Sequence, residues 1–270
     1  CIRDRNHASL IDGCRLARAR TVVVPHADLD AIDTALDCVT TDRALVLTEG
    51  VYSMGGDVAP VGELVEIAHR HGALVVVDDA HGIGTVGPTG RGATEELPAS
   101  QRPDVLLGTA SKALGVEGGF ACVDETLATL MRNCARGYVF SSAPSPVVAA
   151  GVAAAVEYLR TDTRRVCSLQ ANVAQARLLL AEADLIPPSA AHDRGPIIRI
   201  PVGPESRAVA AQEELARRGL MVGAIRYPAV ARGDAILRIC LTARHTDEHI
   251  RILVTSLREV LDGALSDAPR

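Results

Sequence analysis

Aromatic side chains are scarce in this sequence. It contains no tryptophan, and only 2% of its 270 residues are aromatic, although 48% are hydrophobic. A core without large rings has to be built from valine, leucine, isoleucine and alanine. The length is enough for one large domain or two ordinary ones.

Several other features are missing, and each absence excludes a class of protein. No basic run stands out and the net charge is −5, so nucleic acid is not a predicted partner. No apolar stretch reaches the roughly 18 residues of a membrane span, so no membrane partner is predicted. The seven cysteines show no paired spacing, which predicts neither a disulfide framework nor a metal site and favours a reduced, cytoplasmic compartment. The chain starts with Cys1 rather than methionine, and we expect an N-terminally truncated piece of a longer protein.

The pattern that is present alternates strand and helix over residues 9–162. Apolar residues recur at helical spacing in 28–39 and 61–70, between short apolar runs of strand type. The predicted strands are 21–24, 44–47, 73–77, 105–107 and 119–123. This rhythm predicts an α/β fold with a mostly parallel, doubly wound sheet.

The pattern changes after Pro144. Helices are predicted at 147–159, 164–185, 206–218 and 247–264, and strands at 197–202 and 236–241. We therefore expect a large domain over 1–163 and a smaller C-terminal α+β domain over 164–270.

Polar groups follow two of the predicted strands. Asp78 and His81 come after the run 74–77, while Thr109 and Lys112 come after 105–107. Ligands of open α/β sheets bind at the carboxyl ends of the strands. An acid, an imidazole, a hydroxyl and a lysine delivered there would serve pyridoxal 5′-phosphate (PLP), which needs a lysine for its aldehyde and an acid for its ring nitrogen.

Simpler interpretations stay open for each residue alone. Lys112 could be a surface lysine at a helix start, and Asp78 with Asp79 could cap a helix. Neither the Gly-x-x-x-x-Gly-Lys spacing of a nucleotide-binding loop nor a Gly-x-Gly-x-x-Gly motif upstream of the acid is present, so a nucleotide site is disfavoured.

The motifs taken together resemble those of a known family. They are Asn-His-Ala-Ser at 6–9, Thr-Glu-Gly-Val-Tyr-Ser-Met at 48–54, Asp-Asp-Ala-His-Gly at 78–82, Gly-Arg-Gly at 90–92, Thr-Ala-Ser-Lys-Ala-Leu-Gly at 109–115, Phe-Ser-Ser at 140–142 and Leu-Arg at 237–238. Their order and spacing are similar to those of the α-oxoamine synthases, PLP enzymes of fold type I. The resemblance runs from the first residues to about residue 260.

The resemblance implies a role for each matched residue around PLP. Lys112 would hold the cofactor as a Schiff base and move a proton. Asp78 would pair with the pyridine nitrogen, His81 would bond the phenolic oxygen, and His7 would lie over the ring. Thr109 would contact the phosphate.

Further matched residues would contact cofactor, substrate or a second subunit. Ser53 would contact the cofactor, and Ser142 would reach the phosphate in the neighbouring subunit of a homodimer. Glu49 would lie near the reacting carbonyl, and Arg238 would grip the amino-acid carboxylate, as a planar guanidinium can.

The implied reaction is decarboxylative condensation of a small amino acid with an acyl-CoA or acyl-carrier-protein thioester to give a 2-amino ketone. Ala-Ile-Arg-Tyr-Pro at 224–228 resembles the stretch of the biotin-synthesis branch, which joins L-alanine to a pimeloyl thioester, and Arg226 would then meet the acidic tail. A solvated loop arginine is the alternative interpretation of Arg226. Ala229 and Ala231 depart from the threonine and proline of that branch, which leaves the acyl donor open.

Two alternatives therefore stand beside this function. One is glycine C-acetyltransferase or another paralogue, and the other is an inactive fragment or a non-catalytic subunit. Family members carry a long segment before the Asn-His-Ala-Ser motif, with a glycine-rich phosphate-binding turn, whereas retention of Lys112 disfavours a non-catalytic subunit.

Overall fold

The computed structural model describes residues 2–3, 5–41 and 43–266. Its contacts divide the chain into two compact units, Cys1–Ser53 with Val58–Thr163, and Met54–Asp57 with Arg164–Arg270. The domain boundary between residues 163 and 164 stays a prediction.

The first unit is built on a sheet whose described strands run in the order β2-β1-β3-β4-β5-β6. The strands are β1 (Ile2–Arg3), β2 (Val23–Val24), β3 (Leu45–Glu49), β4 (Leu74–Asp78), β5 (Val105–Thr109) and β6 (Gly119–Cys122). Neighbours are parallel except β5 and β6, which are antiparallel. The mostly parallel sheet matches the sequence prediction.

Helices follow the strands along the first unit. They are α1 (Ala8–Leu16), α2 (Leu29–Asp37), α3 (Val61–Arg70), α4 (Glu125–Cys134), α5 (Arg136–Val139) and α6 (Pro146–Thr161). Side-chain caps explain where several begin, because the carboxylate of Asp28 accepts the Ala31 N–H at 2.8 Å and that of Asp124 accepts the Leu127 N–H at 2.7 Å.

The core of this unit lies where α2 and α3 meet β3 and β4. Ile32 of α2, Leu64 of α3, and Val75 and Val77 of β4 are each fully buried. Burial on alternate positions of β4 leaves its last residue, Asp78, half-buried at the carboxyl end of the strand. Because β3, β4 and β5 are parallel, their last residues, Glu49, Asp78 and Thr109, come out at one edge of the sheet.

The second unit contains a small antiparallel sheet in the order β7-β9-β8. Its elements are α7 (Arg164–Glu182), β7 (Ile197–Gly203), α8 (Glu205–Arg217), β8 (Gly223–Ile225), β9 (Ala235–Cys240) and α9 (Asp247–Ser266). The core here is aliphatic, with Leu180, Ile200, Leu215, Leu237 and Leu257 almost completely buried.

Two strands were not expected from the sequence. β8 covers only three residues and β1 only two, too short for an alternating pattern to stand out. β8 ends directly before Arg226, so the stretch interpreted as a loop begins as a strand. Among the described helices, none is both long and apolar enough to cross a membrane.

Candidate active site

A cavity of about 230 Å³ opens at the sheet edge where β3, β4 and β5 end. It is lined by His7, Ser9, Glu49, Asp78, Ala80, His81, Leu107, Gly108, Thr109 and Lys112. Six of the ten residues predicted for the site therefore lie around one cavity, although they are spread over more than 100 residues of sequence. Ser9 was missed, although its place two residues after His7 was visible in the motif.

The carboxyl groups of Glu49 and Asp78 stand side by side, since these residues pair directly in the β3–β4 ladder. Glu49 is 2% exposed, and its Oε2 accepts the backbone N–H of Ser53 at 3.0 Å. Burial raises the pKa of Glu49 to about 7, with the N–H of Ser53 opposing the shift and the charge of Asp78 adding to it. The other oxygen, Oε1, is buried without a hydrogen-bond partner among the described residues.

His7 is held at the start of α1 by local hydrogen bonds. Its Nδ1 accepts the N–H of Ser9 at 3.3 Å and lies 2.9 Å from the Ser9 hydroxyl. The preceding residue, Asn6, is buried and donates from Nδ2 to the carbonyl of Leu47 in β3 at 2.8 Å. Asn6 therefore ties the segment that carries His7 to the strand that carries Glu49.

Lys112 lies in a tight turn after β5. The turn is closed by hydrogen bonds from Ala110 N–H to the Gly118 carbonyl and from Gly115 N–H to the Lys112 carbonyl, at 2.9 and 3.0 Å. The Lys112 side chain is exposed at the cavity. It is also the only lysine in all 270 residues.

Two hydroxyl groups lie beside this turn. Thr109 donates to the carbonyl of Gly118 at 3.1 Å, and its oxygen lies 2.8 Å from the hydroxyl of Ser111. With the Thr109 proton so engaged, the Ser111 hydroxyl is the donor in the contact between the two oxygens. Ser111 shares a motif with Thr109 but is not among the residues predicted for the site.

The remaining predicted residues do not line this cavity. Ser53 is buried one turn after Glu49, and Ser142 is exposed between α5 and α6. Arg226 and Arg238 belong to the second unit. Arg226 is exposed, while Arg238 is half-buried in β9 and donates to the sulfur of Cys240 at 3.0 Å.

A family model for aminotransferase class I and II matches residues 1–257. The chain belongs to this family. Its predicted fold is confirmed by a solved structure of serine palmitoyltransferase from S. paucimobilis with a bound PLP–myriocin aldimine. The two agree with a TM-score of 0.91 at 29% identity, over 98% of this chain and 67% of that one.

Two curated proteins are similar to this chain at higher sequence identity. The chain is 99% identical over 265 residues to the biotin biosynthesis bifunctional protein BioWF of Cutibacterium acnes, covering 98% of this chain and 40% of that protein. It is 44% identical over 266 residues to 8-amino-7-oxononanoate synthase of Halorhodospira halophila, covering 98% of this chain and 64% of the synthase. The chain thus spans less than two thirds of either relative.

Proposed function

We propose that the chain catalyses the PLP-dependent condensation of L-alanine with a pimeloyl thioester, the reaction of an 8-amino-7-oxononanoate synthase. A carbon–carbon bond forms between the α-carbon of alanine and the thioester carbonyl, the thiol of CoA or of an acyl carrier leaves, and the alanine carboxylate is lost as CO₂. The observation that carries this proposal is the cavity on which Lys112, Asp78, His81, His7 and Glu49 converge.

The groups around the cavity fit PLP. Lys112 offers a primary amine for the aldehyde, and among the described residues no hydrogen bond or ion pair engages that amine. Asp78 would face the ring nitrogen, His81 the phenolic oxygen, and Thr109 with Ser111 the phosphate. Bound PLP supplies an electron sink for the carbanion that forms at the substrate α-carbon.

Two residues of this site would act on protons, one as a base and the other as a hydrogen-bond donor. The Nζ of Lys112 accepts the proton from the α-carbon of alanine, as a positioned general base. The pKa of Glu49 is raised to about 7 by burial, and its protonated carboxyl would donate a hydrogen bond to the thioester carbonyl. Ser53, whose N–H holds Oε2, would keep the Glu49 carboxyl in that orientation.

Substrate selection is assigned to two arginines of the second unit. Arg238 would bind the alanine carboxylate and Arg226 the free carboxylate of the pimeloyl chain, because a guanidinium fork matches a carboxylate with two hydrogen bonds. The exposure of Arg226 directly after β8 supports this role.

A substrate panel tests the proposal. The purified chain, loaded with PLP, is offered L-alanine, glycine or L-serine with pimeloyl-CoA, acetyl-CoA or palmitoyl-CoA, and release of CoA and CO₂ is measured. We expect turnover with L-alanine and pimeloyl-CoA, and a rise in KM for pimeloyl-CoA in Arg226→Ala with little change for L-alanine. Turnover with glycine and acetyl-CoA alone would instead favour the glycine C-acetyltransferase alternative.

A homodimer that shares its active sites is part of the proposal. The α4–α6 region leaves Leu130, Tyr138, Phe140, Val147 and Val156 exposed, and a partner subunit would remove this apolar surface from water. Ser142 lies in the middle of this region and would reach the phosphate in the partner subunit.

Mixing two inactive variants tests this arrangement. If Ser142 serves the partner's cavity, a heterodimer of Lys112→Ala with Ser142→Ala contains one site with both defects and one intact site. Mixing would then restore activity that neither homodimer has. If the mixture stays as inactive as its components, sharing of sites by Ser142 is wrong.

A reducing, cytoplasmic location completes the proposal. All six cysteines within the described residues are free thiols, as expected where glutathione and thioredoxin keep thiols reduced.

A further inference from the structure

Asp79 is a buried acid at the junction of the segments that form the cavity. Its side chain is completely inaccessible to water. Its N–H donates to the carbonyl of Leu107 in β5 at 2.9 Å, and its carbonyl accepts the N–H groups of Gly82 and Ile83, both at 3.1 Å. Asp79 therefore joins the end of β4 to β5 and to the loop that carries His81.

The carboxyl group of Asp79 lies among three glycines. A Cβ atom built on Gly50, Gly82 or Gly92 would overlap the carboxyl oxygens. At Gly82 the three nearest heavy atoms all belong to Asp79. The carboxyl also accepts the N–H of Ala93 at 2.8 Å through Oδ2, so the chain approaches this group from three separate loops.

Two of these loops carry residues of the cavity wall, and the third, at Gly92, closes on Val86. Gly50 directly follows Glu49 and donates its N–H to the carbonyl of Asp78 at 2.8 Å. Gly82 directly follows His81. Gly92 has a φ of +96°, a backbone conformation that residues with a side chain rarely adopt. Its N–H donates to the carbonyl of Val86 at 3.0 Å.

We propose that Asp79 is a positioning residue, whose carboxyl fills the space between these three glycines and thereby fixes Glu49 and His81 at the cavity. This inference rests on the proposed function for the meaning of the cavity. Asp79 does not line the cavity itself, so its effect on ligand binding passes through the loops that it holds.

The neutral form of the carboxyl suits this role. Burial raises the pKa of Asp79 to about 7, opposed by the Ala93 N–H and supported by the neighbouring charge of Asp78. Oδ1 is buried without a hydrogen-bond partner among the described residues. An asparagine has the same shape and no charge, and its amide oxygen can still accept the Ala93 N–H, so it should keep the packing between the three glycines that an alanine loses.

The first test compares Asp79→Ala, Asp79→Asn and the control Asp104→Ala. Asp104 also accepts a backbone N–H of β4, that of Val75 at 2.7 Å, but at the start of the strand, away from the cavity. Two quantities are measured: the amide hydrogen exchange of residues 49–53, 80–84 and 91–94 without cofactor, and the Kd for PLP.

We expect Asp79→Ala to speed exchange in all three segments and to weaken PLP binding about tenfold or more, the size of loss that follows removal of groups that orient the ligands of metal sites. Asp79→Asn should stay within about threefold of the parent, and Asp104→Ala should change neither quantity in these segments. Unchanged exchange in Asp79→Ala would overturn the inference. So would an asparagine variant as impaired as the alanine variant.

A double-mutant cycle tests the close packing directly and does not depend on the stability of Asp79→Ala alone. Gly82→Ala should accelerate exchange at 80–84, because its methyl group meets the carboxyl of Asp79. In an Asp79→Ala background the same methyl group enters vacated space and should slow exchange. Additive effects of the two substitutions would contradict the contact.

The two proposals fail in distinguishable ways. If the parent chain does not bind PLP, the proposed function fails, while the exchange measurements still decide whether Asp79 holds the loops. If the parent chain binds PLP and Asp79→Ala binds it equally well, only the positioning role fails.

Discussion

The ionisation of Glu49 should make the stability of the folded chain depend on pH. Its carboxyl is buried beside that of Asp78, and its pKa rises to about 7 from an ordinary value of 4.5. Between these two values the folded chain keeps the proton that the unfolded chain loses. The contribution of Glu49 to stability is therefore full below pH 4.5, falls as the pH rises towards 7, and stays low above it.

Glu49→Gln should remove this dependence. The amide oxygen can still accept the Ser53 N–H, while the neutral group has no proton to lose. A single group contributes at most about 1.4 kcal/mol per pH unit to this slope, and the Asp79 carboxyl, unchanged in the variant, supplies a slope of the same sign.

Urea unfolding at pH 5 and at pH 8 is the measurement. The parent should lose more stability between these pH values than Glu49→Gln, and Glu63→Gln on the exposed face of α3 is the matched control. Equal losses in parent and Glu49→Gln would contradict the raised pKa of Glu49.

Asn6→Ala tests the tie between the His7 segment and β3. Loss of the buried hydrogen bond to Leu47 should lower the free energy of unfolding by about 1–3 kcal/mol and weaken PLP binding through His7. Asn133→Ala removes the same type of bond, from Nδ2 to the carbonyl of Thr129 at 2.8 Å, on exposed α4. This control substitution should lower the free energy of unfolding by no more than about 0.5 kcal/mol. Equal losses in the two variants would show that burial of the Asn6 hydrogen bond adds nothing to stability.

Among the glycines within the described helices and strands, Gly108 of β5 has the least room for a side chain. Gly108 lines the cavity, and a Cβ atom there would overlap the Phe120 ring of β6 and the side chain of Ile83. Gly108→Ala should therefore lower the free energy of unfolding by about 1–3 kcal/mol and reduce PLP affinity. The control is Gly137→Ala in α5, where an added methyl group meets no other atom, so its free energy of unfolding should be unchanged or higher. Urea unfolding of both variants is the measurement. A Gly108→Ala variant as stable as Gly137→Ala would refute the tight packing.

Most elements could be predicted from the sequence because apolar periodicity and turn residues marked them. The valine-rich run before Asp78 is one example, since a short continuous apolar run is typical of a strand in a parallel sheet. β8 escaped prediction because three residues carry no period. β6 was expected as a strand, but its antiparallel direction follows from the turn at 109–118 rather than from its own composition.

At the scale of the whole molecule, the cavity could be predicted because one physical rule gathers its parts. Parallel strands deliver their carboxyl ends to the same edge, so Glu49, Asp78 and Thr109 had to meet. The roles proposed for Ser142, Arg226 and Arg238 rest instead on the resemblance of their motifs to those of the family, because these residues do not line the cavity. The raised pKa values of Glu49 and Asp79 could not be predicted from the sequence, because they arise from burial in the folded chain.

Lys112 is the proposed attachment point for PLP, and the proposed function depends on it. Because the chain has no other lysine, borohydride reduction of the PLP complex, followed by peptide mass spectrometry, can give a single unambiguous position. We predict one phosphopyridoxyl group per chain, on the peptide that contains Lys112, and none in Lys112→Arg. A group found on the N-terminal amine alone, or no covalent group in a chain that binds PLP, would contradict the account.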